Sequence, residues 1–209
     1  MTSHGFRTAF SRLGPIALLL VVAACVPKLP GSGKPPTLYE LTPKSTFSAD
    51  LPNADWQLVI EVPSAPSSLE SNRIMVRETE TKISFVKDAA WADRAPSLIQ
   101  TLLVESFENS GRIIAVGRES VGLRSDFVLK TDLREFQIEQ YGQRQVRVRV
   151  NVKLVQMPER LIVGSLNSDK VAPAGTTLES AVTAFDVALG KVLKEIVEWT
   201  LRAGAARAK

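Results

Sequence analysis

Between Gln145 and Leu154 the chain reads QVRVRVNVKL, so Val146, Val148, Val150, Val152 and Leu154 alternate strictly with Arg147, Arg149, Asn151 and Lys153. Successive side chains of a strand point to opposite faces of a sheet, whereas a helix would scatter these five aliphatic residues around its circumference. The segment is therefore a strand with one buried and one wet face, which requires a covering layer on one side only, as in antiparallel sheets. Its expected neighbours flank it in sequence. Phe127, Leu129 and Leu133 share one face of a preceding strand, while Phe136 and Ile138 fall on the opposite parity; a bulge near Arg134-Glu135 returns them to the core side. Leu161–Leu166 is expected to pair on the other flank. Further upstream, Leu58, Ile60 and Val62 alternate up to Pro63, and Arg73–Glu78, Lys82–Lys87 and Ile113–Val116 read as shorter strands.

The covering layer is expected from two helices. From Pro96 to Glu108, Leu98, Ile99, Leu102, Leu103 and Phe107 follow helical spacing, and Asn109-Ser110-Gly111 supplies the stop. A second helix is expected from Thr177 to about Leu201. Thr176-x-x-Glu179 fits a capping box, and Leu178, Val182, Phe185, Leu189, Val192, Ile196 and Trp199 form a stripe in steps of three and four. Trp91 is expected to pack at the start of the first helix. The order of elements gives an α+β fold, a two-layer sandwich of a mainly antiparallel sheet with two helices on one face.

The N-terminus reads as an address. Residues 1–24 hold Arg7 and Arg12, no acidic residue, and the apolar run Ile16–Ala24, the layout of a secretory signal peptide. A spanning helix needs about 20 apolar residues, so retention in the bilayer is the weaker reading. Val22-Ala23-Ala24-Cys25 resembles a bacterial lipobox, in which the cysteine thiol takes a diacylglyceryl group and becomes the first mature residue. Cleavage before Cys25 lowers the 26 basic residues to 24 against 22 acidic ones, a net charge of +2, and removes His4, the only histidine. Residues 26–36, VPKLPGSGKPP, form an extended Pro/Gly-rich tether; at ~3.1 Å per residue it would reach roughly 34 Å. The expected division is 1–24 signal peptide, 25–36 lipidated cysteine and tether, 37–203 a single periplasmic domain, and 204–209 a C-terminal tail. Val26 after the cysteine, by resemblance to the enterobacterial sorting rule, favours the outer membrane.

Chemistry is scarce in such a chain. Without a mature histidine, Ser-His and Cys-His catalysis have no base. One cysteine excludes an intrachain disulfide framework and zinc sites of several Cys or His, so neither a metal nor a cofactor is expected. No P-loop, GxGxxG or GxSxG is present. Glu78/Glu80, Glu105/Glu108, Glu195 and Glu198 read as solvated faces. A near-neutral mature charge on an exported chain argues against nucleic acid.

Several segments carry a family resemblance. Trp56–Pro63 leads into Pro66 and Leu69; Arg73-Ile74-Met75-Val76-Arg77 follows; Ala90-Trp91-Ala92-Asp93-Arg94-Ala95-Pro96 heads a helix ending Phe107-Glu108-Asn109-Ser110-Gly111. With Tyr39-Glu40-Leu41 and Asp126-Phe127-Val128-Leu129, the chain resembles the ABC-type transport auxiliary lipoprotein family, which includes the paraquat-inducible lipoprotein of MCE-domain lipid transport systems. The resemblance implies no enzymatic activity. It implies an outer-membrane-tethered periplasmic subunit, acylated at Cys25, that works with an MCE-domain substrate-binding protein and an ABC permease and ATPase to move phospholipid or another hydrophobic molecule. The sequence is also compatible with a homo-oligomer. The alternatives are a structural lipoprotein of outer-membrane (lipopolysaccharide or barrel) assembly and a periplasmic hydrolase with an unrecognised site. Arg147, Arg149 and Lys153, on the wet face of the alternating strand, are candidates for a partner-docking face; the competing reading pairs them with Asp132 or Glu135 of the neighbouring strand.

Overall fold

The computed structural model describes residues 35–119 and 125–207, together with Thr2. The expected signal peptide 1–24 (Thr2 apart), Cys25, the expected tether as far as Lys34, and the final two residues lie outside them. By internal contacts the chain divides into residues 1–35 and 36–209, and the whole sheet and both helices belong to the second unit. Its elements are β1 (Thr37–Tyr39), β2 (Ala54–Ile60), β3 (Arg73–Arg77), β4 (Ile83–Trp91), α1 (Ala95–Ser110), β5 (Ile113–Arg118), β6 (Phe127–Glu139), β7 (Gln145–Gln156), β8 (Leu161–Pro173) and α2 (Leu178–Ala205).

The long strand β6 is the spine. On one edge it pairs antiparallel with β7 along its whole length, and β7 pairs antiparallel with β8. The other edge is shared. β2 runs parallel to the start of β6 (Leu58 opposite Phe127), and β3 runs parallel to its end (Arg77 opposite Glu139). An isolated bridge from Ser64 to Asp132 lies between them, so β2 and β3 are two parts of one line interrupted by the excursion through Leu69. β5 adds parallel to β2; β4 adds antiparallel to β3, and β1 parallel to β4.

The eight-stranded sheet is therefore mixed, which corrects the expectation of a mainly antiparallel one. The meander β6–β7–β8 is antiparallel as its alternation implies. The parallel character comes from β1, β2, β3 and β5, whose short apolar runs reveal a face but not the direction of a partner. The register shift between Leu133 and Glu135 is the bulge that the parity change demanded.

Residues of both helices join one core with the inward residues of β2, β6 and β7, and the helices touch each other. On β7 the alternating aliphatics are all 0–1% exposed, each contributing about 1.5–3 kcal/mol on burial. Gly111, at φ 61°, ends α1 in the left-handed region that a side chain disfavours. At α2 the cap falls one residue later than the capping-box reading: the Ser180 amide donates to Thr177 Oγ1 at 3.1 Å. This helix continues past Leu201 to Ala205 because Gly204 lies against Trp56, where a Cβ would come within 2.4 Å of the indole. Trp91 is the last residue of β4, four positions before the start of α1, and shares one core cluster with Ala95, Leu98 and Ile99. It is fully buried against Phe185 at 4.9 Å and Phe136 at 5.4 Å. Among the described residues no helix is long and apolar enough to cross a membrane.

Candidate functional site

The face of the sheet opposite the helices carries two distinct features. At the level of Arg147 it is an ion network. Arg147 Nε lies 3.0 Å from Glu139 Oε1 and 3.6 Å from Glu135 Oε2, and Arg147 Nη1 lies 2.9 Å from Asp169 Oδ2. Glu135 also pairs with Arg149. Gln145 Nε2 donates to the second oxygen of Glu139 at 2.7 Å. Partial burial pulls the Arg147 guanidinium down, but the carboxylates of Glu139, Asp169 and Glu135 outweigh it and hold its pKa above the ordinary value. The register explains the cluster: Glu135 is opposite Arg149 across β6–β7, and Arg149 is opposite Asp169 across β7–β8. Two guanidiniums thus meet three carboxylates. Glu135 takes up the cross-strand role expected of it, while Asp132 pairs with Arg134 at 3.0 Å.

Lys153, the third residue of the expected docking face, stands apart from this network. It lines a groove of about 490 Å³ with Val59, Val128, Val155, Met157 and Ile162 as apolar lining and Lys130 and Arg160 as further cations. The registers align Val59 with Val128, Val128 with Val155, and Val155 with Ile162. The result is one apolar row crossing β2, β6, β7 and β8 on the face that the alternation rule assigns to water. Three strand spacings of about 4.8 Å give it a length of about 14 Å. Val59, Val128 and Val155 bury one another in a small cluster separate from the main core, whereas Ile162 remains 55% exposed. Two residues further along, Lys130 and Lys153 stand opposite each other in register. Glu61 holds Lys130 through both oxygens at 2.6 Å.

The row left a trace in the sequence. Leu58-Val59-Ile60, Phe127-Val128-Leu129, Leu154-Val155 and Leu161-Ile162-Val163 are uninterrupted apolar runs inside otherwise half-buried strands. Contiguous apolar residues in a strand mark a level where both faces tend to be dry. That holds here for β2, β6 and β7 but not for β8, where Leu161 and Ile162 stay more than half exposed. Which runs meet is decided by register, and so the four read singly as ordinary core.

Glu195 and Glu198 are not the solvated face expected of them. Glu195 accepts from Ser168 Oγ at 2.6 Å and pairs with Lys170 at 2.7 Å, tying α2 to β8. Glu198 accepts both the amide and the hydroxyl of Ser48 at 2.8 Å, tying α2 to the segment before β2. Among the described residues no group of three or more Cys, His, Asp or Glu side chains is placed to hold a metal.

Residues 38–197 match the family model described as the ABC-type transport auxiliary lipoprotein component. The crystal structure of protein XCC0632 from Xanthomonas campestris is 32% identical, superposes with a TM-score of 0.79, and covers 82% of this chain and 98% of its own. The uncharacterized protein bll6063 of Bradyrhizobium diazoefficiens is 30% identical over 189 residues, or 87% of this chain, and the chain spans half the length of that relative. The hypothetical protein CT253 of Chlamydia trachomatis is only 9% identical at a TM-score of 0.52, a likeness of fold alone.

Proposed function

Because this chain belongs to the ABC-type transport auxiliary lipoprotein component family, we propose that it is the envelope-tethered accessory subunit of a transporter that moves phospholipid or another hydrophobic molecule. Cys25 carries the acyl anchor in this reading. The Pro/Gly-rich tether holds the folded domain off the membrane, which we assign to the outer one. An ABC permease and ATPase supply the energy, and an MCE-domain protein is the periplasmic partner. The observation that carries the reading is the family match, which runs from β1 almost to the end of α2. The fold adds a reason for the docking side: helices cover one face of the sheet, and the other is left to Arg147, Arg149, Lys153 and the groove. Arg147 is enclosed by carboxylates and Arg149 shares Glu135 with it, so among the described residues Lys153 is the cation of this trio without a carboxylate partner, and Arg149 is the more exposed of the two paired arginines.

The test is affinity isolation of the tagged full chain from cross-linked envelopes of its own bacterium. Identified ABC permease, ATPase and MCE-domain proteins are the expected companions. An Arg149→Glu substitution should lower their yield without changing the amount of folded lipoprotein. Recovery of lipopolysaccharide-export or barrel-assembly proteins in their place would overturn the transport reading and favour a structural role in outer-membrane assembly.

A further inference from the structure

Folding accounts for only part of the apolar row on the helix-free face: Val59, Val128 and Val155 close on one another at 5–8% exposure, while Ile162 at its end stays 55% exposed. A wet sheet face loses nothing by being polar there, as it is at Arg147, Arg149 and Asn151 of the same strand. At Val155 the pattern breaks, and it breaks at the matching register position in β2, β6 and β8 as well. The same four-strand row is what gives the groove its floor, and its open end is Ile162, more than half exposed. Ligand sites commonly enclose about 300–1,000 Å³ with apolar walls and a few convergent polar groups; this groove has about 490 Å³ and that kind of lining.

The charges decide what would lie in it. Lys130 is already neutralised by Glu61. Lys153 on β7 and Arg160 in the β7–β8 turn are exposed, and among the described residues neither has a carboxylate partner within ion-pair distance. Arg160 takes a φ of 57°, a conformation uncommon for a side-chain-bearing residue, at the turn that closes the groove. The lining carboxylates, Glu61 and Glu119, follow β2 and β5 on the other side of the groove, where Glu61 is taken up by Lys130, so Lys153 and Arg160 lie apart from both. A lysine and an arginine free to donate charge-assisted hydrogen bonds at one side of an apolar trough suit a phosphate attached to a hydrocarbon chain. Resting on the transport reading above, we propose that one acyl chain of a phospholipid lies along Val59, Val128, Val155 and Ile162, with its phosphate held by Lys153 and Arg160. The auxiliary lipoprotein then handles the cargo itself and is more than a spacer between transporter and membrane.

The experiment uses the full chain in living envelopes, with a benzophenone amino acid replacing Ile162 or, as control, Val187, which is 47% exposed on α2 and outside the groove. After illumination, mass spectrometry of the purified chain reads what is attached. A phospholipid adduct at position 162, about tenfold or more above position 187, is expected. Adding Lys153→Glu and Arg160→Glu should reduce it about tenfold, the loss of a charge-assisted contact, in a chain whose melting temperature is retained. Equal adducts at both positions would mean mere proximity to the bilayer. A polypeptide adduct at 162 would mean a protein interface. No adduct, or one indifferent to the charge reversal, would also overturn the assignment. The same samples are probed for the permease and ATPase. Their presence without a lipid adduct sinks the groove alone, and their absence sinks the transport reading.

Discussion

Truncation of Phe185 to alanine tests the central packing claim, that α2 is a core helix held to the sheet by its apolar stripe. Phe185 is fully buried and sits 4.9 Å from the Trp91 ring and 4.7 Å from that of Phe136. Removing a buried phenylalanine costs about 3–5 kcal/mol through lost transfer energy and the residual cavity. Each aromatic pair adds about 0.5–1.5 kcal/mol beyond its area, and Trp91 and Phe136 are themselves pinned in strands and cannot collapse into the gap. The loss should therefore fall in the upper half, about 4–5 kcal/mol. For a domain of this size that lowers the melting temperature by roughly 8–20 °C, at about 2–4 °C per kcal/mol. Urea unfolding at 25 °C, followed by tryptophan fluorescence and by circular dichroism, reads the change as a shifted midpoint at constant slope. Val187→Ala, on the exposed side of the same helix, is the control and should stay within about 0.5 kcal/mol. A loss below about 1 kcal/mol for Phe185→Ala would refute the packing of α2 described above.

Two glycines of α2 should respond with opposite signs. Gly190→Ala meets no atom within 4 Å and should stabilise by about 0.4–1 kcal/mol, whereas Gly204→Ala drives a methyl into Trp56 and should cost about 1–3 kcal/mol; thermal melts of the pair decide, and a stabilising Gly204→Ala would contradict the contact. Burial alone would raise the Glu195 and Glu198 carboxyls, but hydrogen bonds from Lys170 and Ser168 to the first and from Ser48 to the second, with nearby cations, hold both below the ordinary range. Such groups contribute stability that is full above the unfolded value of about 4.3 and is lost as pH falls through the folded value. The parent should thus lose more stability between neutral and acid pH than Glu195→Gln/Glu198→Gln, and parallel urea midpoints across that range would rule this out. Cys25→Ala should leave the domain folded, abolish palmitate labelling and release the chain from membranes; labelling that persists would remove Cys25 as the anchor site.

The sequence by itself determined the elements that repeat a period over many residues. The five alternations of β7, the bulge in β6, the stop at Gly111 and the stripe of α2 are all local consequences of which side chains must face away from water, and each is found where the period puts it. The ends of elements were less legible. The extension of α2 to Ala205 depends on Gly204 meeting Trp56, a residue 148 positions earlier in the chain. Likewise the strand read at Lys82–Lys87 runs on to Trp91, whose ring is fixed by Phe136 and Phe185 from distant parts of the chain.

Tertiary structure alone decided strand direction and the contents of the helix-free face. A short apolar run specifies that a strand is buried, yet parallel and antiparallel neighbours present the same side chains to the core. Only the chain path sets β2 and β3 along a single edge of β6. The same limit applies to function. Arg147 and Arg149 were legible as a charged face, but their carboxylate partners were fixed by the β6–β7–β8 register, which turned a basic stripe into a neutralised network. Val59, Val128, Val155 and Ile162 are 69, 27 and 7 residues apart in sequence, and each alone is an unremarked hydrophobic residue. Register brings them into one row, because side-chain period determines only which face a residue takes, while hydrogen bonding between strands determines which residues share it.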